Sequence, residues 1–147
     1  FIVLIIGILA SDDLKEKNIL QAFLNGGLFA FGIGLILHFW VGPENLTFLG
    51  FRNDWSTFFA GESLAFCQRI ENSPLCRFQG TFSGPNQAAI YAVFYISILV
   101  YAFKQKFVSK NFAIISFIVA LSVLLATFSR SAYLTLIAFS IFYFFLF

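Results

Sequence analysis

Charge is what this chain has least of. Asp, Glu, Lys and Arg make up 11% of its 147 residues, against about 25% in ordinary soluble domains. The residues AVILMFWYC make up 60% and the mean hydropathy is +0.89. That balance excludes a soluble globular domain. Several runs approach the roughly 20 apolar residues that cross a bilayer, so the chain reads as an integral membrane protein in contact with lipid. The basic residues form no dense patch and no known module, which excludes a nucleic-acid partner. A single histidine, two cysteines and no C-x-x-C exclude a zinc site of the usual spacing; no metal and no cofactor is expected. No Ser/His/Asp set, P-loop or dinucleotide fingerprint is present. Methionine is absent and phenylalanine occurs 23 times, a bias from which no function follows.

The chain opens on Phe1 and runs straight into apolar residues up to Ala10. That run lacks a basic n-region and a small-residue cleavage site, so it does not read as a signal peptide. It reads as the tail of a helix, and Phe147 lies inside another apolar run. The expectation is a fragment of a longer protein, with sequence missing at both ends.

What is present organises as an all-α, polytopic transmembrane helix bundle. One partial domain covers 1–147, with membrane segments at about 1–10, 18–41, 85–103, 111–128 and 132–147. Residues 11–17 read as a short charged loop. Gly26, Gly27, Gly32 and Gly34 lie in the second segment, where small residues allow helices to approach closely in lipid. Gly42-Pro43 stops it. The stretch 43–84 is the long polar connection. Within it Trp55, Phe58, Phe59, Phe66 and Ile70 recur at amphipathic spacing, which predicts a short helix lying in the interface. Ser129-Arg130-Ser131 interrupts the last apolar region. One continuous helix over 111–147 would be about 55 Å long and would put Arg130 near mid-membrane at a cost of about 2.5–3.5 kcal/mol, so a turn is expected there.

Loops 11–17 and 104–110 must share one side, and they carry Lys15, Lys17, Lys104, Lys106 and Lys110. An excess of lysine marks the cytoplasmic side. Loop 43–84 and Arg130 then lie together on the extracytoplasmic side. Cys67 and Cys76 fall in that loop, where disulfides form; a bond between them would add about 2–3 kcal/mol in the chain-entropy account. The other reading is two free thiols.

Arg77 and Arg130 are the first candidates for function. Arginine stays charged at a membrane and pairs bidentately with phosphate. Arg77 precedes a glycine-rich turn and Pro85, which suits the first position of a helix, and a helix N-terminus favours anions. The competing reading makes both arginines interface anchors that snorkel to headgroups. Asn86 and Gln87, at the same helix start, suit sugar hydroxyls or a pyrophosphate, and equally suit ordinary first-turn polarity. Arg52 and Arg69 have acidic neighbours in the loop. Glu62 and Glu71 pair with nothing recognisable. His38, beside Phe39 and Trp40, reads as an interfacial residue rather than a base.

The stretch Arg77-Phe78-Gln79-Gly80-Thr81-Phe82-Ser83-Gly84-Pro85-Asn86 resembles the R-x-x-G-T-F-x-x-P-N element of the O-antigen ligase and O-antigen polymerase superfamily. Thr127-Phe128-Ser129-Arg130 resembles its S-x-S-R element, with Thr127 in place of the first serine. The resemblance covers the chain from about 77 onward. It implies a GT-C-like bacterial inner-membrane enzyme, metal-independent, that moves a glycan from undecaprenyl pyrophosphate to a lipid A core, polysaccharide or protein acceptor at the periplasmic face. Arg77 and Arg130 match the family's motif arginines, and Pro85-Asn86 its helix start. The catalytic base would lie in a large loop beyond Phe147, so this stretch alone should be inactive and no catalytic residue is assigned within it. Two other readings compete: a transporter or flippase, which should show an inverted repeat, and a structural membrane module without chemistry.

Overall fold

A computed structural model describes residues 13–42, 68–69, 76–82 and 84–146. The expected segment at 1–10, most of the predicted interfacial helix, and Arg52, Glu62, Cys67 and Glu71 lie outside the described residues.

Four helices dominate. Helix α1 spans Asp13–Ile36 and continues as a wider, π-helical turn over Leu37–Val41. Helix α2 spans Pro85–Lys104, α3 spans Lys110–Ala126 and α4 spans Arg130–Leu146. A two-stranded antiparallel ribbon, β1 at Gln68–Arg69 and β2 at Cys76–Arg77, pairs Gln68 with Arg77 and Arg69 with Cys76. The fold is therefore helical with a short ribbon inside the polar connection, where the sequence pointed only to helix.

Two boundaries differ from expectation. Residues 13–17, read as loop, form the first turn and more of α1. Their charge misled, because acidic residues also favour a helix N-terminus. The break near Arg130 falls earlier, at Thr127–Ser129, so Arg130 and Ser131 belong to the first turn of α4.

The helices alternate in direction and share two distinct ends. At one end Gln21 Nε2 donates to Phe107 O at 2.6 Å, Tyr101 Oη donates to Glu16 Oε1 at 2.9 Å, and Lys104 Nζ stands 5.3 Å from the Tyr143 ring centroid. This is the lysine end. At the other, the arginine end, the His38 ring lies 5.5 Å from that of Phe78, and Arg77 meets the turn between α3 and α4.

Small residues bring the helices together. The buried face of α2 includes Ala88, Ala89, Ala92, Ile96, Leu99 and Ala102, and it meets Ala120, Val123 and Leu124 of α3. Tyr95 is wholly buried and donates to Leu24 O at 2.9 Å. Gly27 makes room for it: a β-carbon there would fall 2.6 Å from Tyr95 Cε2. Gly34 lies under Phe78 and Gly80 in the same way, whereas Gly26 and Gly32 have nothing within 4 Å. The glycine-rich stretch thus serves packing at two of its four positions.

The outer faces are also apolar. Leu134, Ile137 and Ile141 on α4 and Ile114, Ile115 and Ile118 on α3 are all exposed. Helices apolar on every side are at home in lipid rather than water. Two spans, Glu16–Val41 and Pro85–Lys104, are long and apolar enough to cross a membrane; Lys110–Ala126 and Arg130–Ile141 are shorter apolar helices.

The helix ends are closed by local chemistry. Lys106 takes φ +59° after α2, so that Lys106 N–H reaches Phe103 O and Phe107 N–H reaches Ala102 O. This pair of bonds usually has glycine at the left-handed position. Ser109 caps α3 by accepting from Phe112 N–H.

Candidate functional site

The arginine end is built around the C-terminus of α3, whose last carbonyls have no partners within the helix. Thr127 N–H reaches Val123 O and Leu124 O, Phe128 N–H reaches Leu125 O, and further groups add to these. Phe78 N–H donates to Ala126 O at 2.8 Å, and Arg77 Nε donates to Thr127 O at 2.8 Å. Tyr133 Oη donates to Leu125 O at 2.9 Å. Thr127 Oγ1 donates to Leu124 O at 2.6 Å and accepts from Ser129 N–H at 3.3 Å. Its hydroxyl thereby links Ser129 N–H to Leu124 O, which Thr127 N–H also reaches. Phe128, at φ +50°, holds the left-handed position of this turn, a conformation a bulky residue rarely adopts. The partial negative charge of a helix C-terminus favours a cation, and the Arg77 guanidinium supplies it from 50 residues upstream.

Arg77 also reaches the opposite way. Its Nη2 donates to Asn86 Oδ1 at 3.0 Å, in the first turn of α2. One side chain therefore ties together the ribbon, the start of α2 and the turn before α4. Pro85 is the first residue of α2; Gly84 precedes it with no side-chain cap. Gly80, at φ +58°, makes the intervening turn, and a β-carbon there would strike Phe78 Cζ at 2.7 Å. The wholly buried Phe78 ring is thus clasped between Gly34 and Gly80. Behind it, Cys76 is disulfide-bonded, and the sequence holds one other cysteine, Cys67.

No family model, curated protein or solved structure matches the chain.

Geometry alone therefore locates the residues singled out from the sequence. Arg77 and Asn86 are in direct contact. Arg77 is half-buried and bonds within the junction to Thr127 O and Asn86 Oδ1. Arg130 is exposed, three residues beyond the carbonyl that Arg77 holds. Asn86 is not a helix cap; its carbonyl oxygen takes the guanidinium. Gln87 is exposed, and its Oε1 folds back to within 2.6 Å of where a Gly84 β-carbon would be. His38 packs edge-on against Phe39 and Phe78 at the same end. Arg69 contributes backbone to β1. Among the described residues, no group of three or more His, Cys, Asp or Glu side chains comes together.

Sequence reasoning missed the acceptors. Thr127 and Ala126 bind through backbone carbonyls, which leave no mark on residue type. The relay by the Thr127 hydroxyl had a signal, since a threonine just past a helix end is suited to bond nearby backbone.

Proposed function

We propose that the chain is part of a membrane glycosyltransferase similar to the O-antigen ligases and polymerases. Such an enzyme moves a glycan from undecaprenyl pyrophosphate to a lipid, polysaccharide or protein acceptor at the outer face of the bacterial inner membrane. The observation that carries this reading is the bond from Arg77 Nε to Thr127 O. It joins the two stretches that resemble the family's motifs, although they lie far apart in sequence.

The chemistry of the arginine end supports the same reading. Helices α2 and α4 both begin there, and helix starts carry partial positive charge. Helices α1 and α3 both end there, and the negative end of α3 is covered by Arg77. The exposed Arg130, at the start of α4, is the group best placed to meet an anion. Arg77 acts as a positioning residue, holding Asn86 against the same turn. A diphosphate leaving group needs its developing charge stabilised as the bond from sugar to oxygen breaks. Arginine and helix starts provide that stabilisation, while deprotonation of the acceptor hydroxyl falls to a base outside this stretch. In this reading the bundle is GT-C-like with five membrane segments, the lysine end is cytoplasmic and the arginine end periplasmic.

The test is glycan transfer in membranes that carry the product of the full open reading frame. Arg130→Ala should abolish transfer from a polyprenyl-diphosphate glycan while leaving membrane insertion unchanged. Arg77→Ala should abolish transfer as well. Full transfer by both variants refutes the proposal.

A further inference from the structure

The lysine end carries a feature that glycan transfer does not use. An apolar groove of about 680 Å³ opens between α2, the turn after it and α3, with Tyr143 of α4 at its edge. Its volume lies within the range of about 300–1,000 Å³ typical of ligand pockets. Lys104, Lys106 and Lys110 stand among its lining, and no carboxylate does among the described residues. A second cavity of about 540 Å³ shares Val100, Phe117 and Tyr143 with it and continues to Ile96 and Leu136. From Lys104 to Ile96 the path along α2 is about 12 Å, and its lining is mainly apolar, with Ser140 and Tyr143 the side chains that carry a polar group.

The rim and the depth ask for different chemistry. Lys106 and Lys110 are exposed. Lys106 is fixed by the left-handed turn that closes α2, and Lys110 is the first residue of α3. Two ammonium groups on adjoining backbone, beside a helix start, suit one phosphate. The depth offers Phe103, Ile114 and Phe117 to a hydrocarbon chain. A soluble anion would leave the apolar part unused. A lipid with a choline or ethanolamine headgroup would bring a further positive charge to a rim that shows no carboxylate among the described residues.

We infer that this groove is a binding site for an anionic phospholipid, its phosphate held by Lys106 and Lys110 and one acyl chain lying along α2 toward Ile96. The site depends on the helices crossing a bilayer and is independent of the glycosyltransferase reading.

The test uses the chain in phosphatidylcholine bilayers with trace spin-labelled phosphatidylglycerol or phosphatidylcholine. The fraction of motionally restricted label gives the relative association of the two lipids. A basic residue at a membrane surface adds about fivefold to the association of an anionic lipid, so phosphatidylglycerol should be favoured at least several-fold. The preference should shrink with added salt. It should disappear in the double variant Lys106→Gln, Lys110→Gln and persist in Lys106→Arg, Lys110→Arg. It should also persist in Lys17→Gln, which removes a charge from the same end but not from the groove. Ala113→Trp, which fills the groove, should abolish it with both lysines in place. Equal association of the two lipids with the unmodified chain overturns the inference. So does a preference that survives the double glutamine variant or falls equally with Lys17→Gln.

Discussion

Replacing Gly27 with alanine tests how α1 and α2 meet. The added β-carbon would lie 2.6 Å from Tyr95 Cε2 and 2.7 Å from Cδ2. The ring cannot swing aside cheaply. It is wholly buried, its hydroxyl is bonded to Leu24 O, and its ring centroid lies 5.3 Å from that of Phe31 in an edge-on pair. Displacing it gives up a hydrogen bond of about 1 kcal/mol and aromatic packing of about 0.5–1.5 kcal/mol, in line with the about 1–3 kcal/mol typical of overpacking. Alanine returns about 0.5–1 kcal/mol through its better helix propensity. Gly26→Ala shares that gain but meets nothing within 4 Å. The helix term cancels between the two variants, so Gly27→Ala should be less stable than Gly26→Ala by about 1–3 kcal/mol. Equilibrium unfolding in mixed micelles, followed by circular dichroism as the fraction of denaturing detergent rises, measures the difference. Equal stabilities, or a more stable Gly27→Ala, would refute the packing described for this pair of helices.

Two further outcomes concern the arginine end. Reducing the disulfide at Cys76 should lower stability by about 2–3 kcal/mol for a closed loop of this size; if the bond also steadies the ribbon beside it, hydrogen exchange should speed at the Phe78 amide, which is bonded to Ala126 O, and an unchanged rate would contradict that. Thr127→Val keeps the shape but removes the hydroxyl relay between Ser129 N–H and Leu124 O. It should cost about 1–3 kcal/mol in the same unfolding assay, with Thr127→Ser recovering most of it.

Much of the helical plan was legible because lipid leaves a coarse mark on sequence. The apolar runs beginning at Pro85 and near Lys110 needed only their length, and Gly42, at φ +76°, stops α1 as a glycine before proline should. The start of α1 was misread because charge was taken for loop, although acidic residues also belong at helix starts. The turn at Thr127–Ser129 was expected near Arg130 on energetic grounds, but its cause lay hidden. Phe128 adopts the left-handed backbone without being glycine, and Lys106 does the same after α2, so neither turn announces itself. That Arg77 and Asn86 lie near one helix start was legible in the motif that holds both; their hydrogen bond was not. Nor was the Arg77–Thr127 bond, because the acceptor is a carbonyl that any residue could offer. Gly26 and Gly27 are indistinguishable in the sequence; only the approach of Tyr95 separates them.

The central claim is that the arginine end receives a diphosphate, with Arg130 as its exposed contact. Calorimetric titration of farnesyl diphosphate and farnesyl monophosphate into the chain in nanodiscs, with and without Arg130→Gln, addresses it most directly. The account predicts tighter binding of the diphosphate and a roughly ten- to hundredfold loss in the variant, the size of a charge-assisted hydrogen bond of about 1.5–3 kcal/mol. Equal affinity of the unmodified chain and the Arg130→Gln variant for the diphosphate would contradict it.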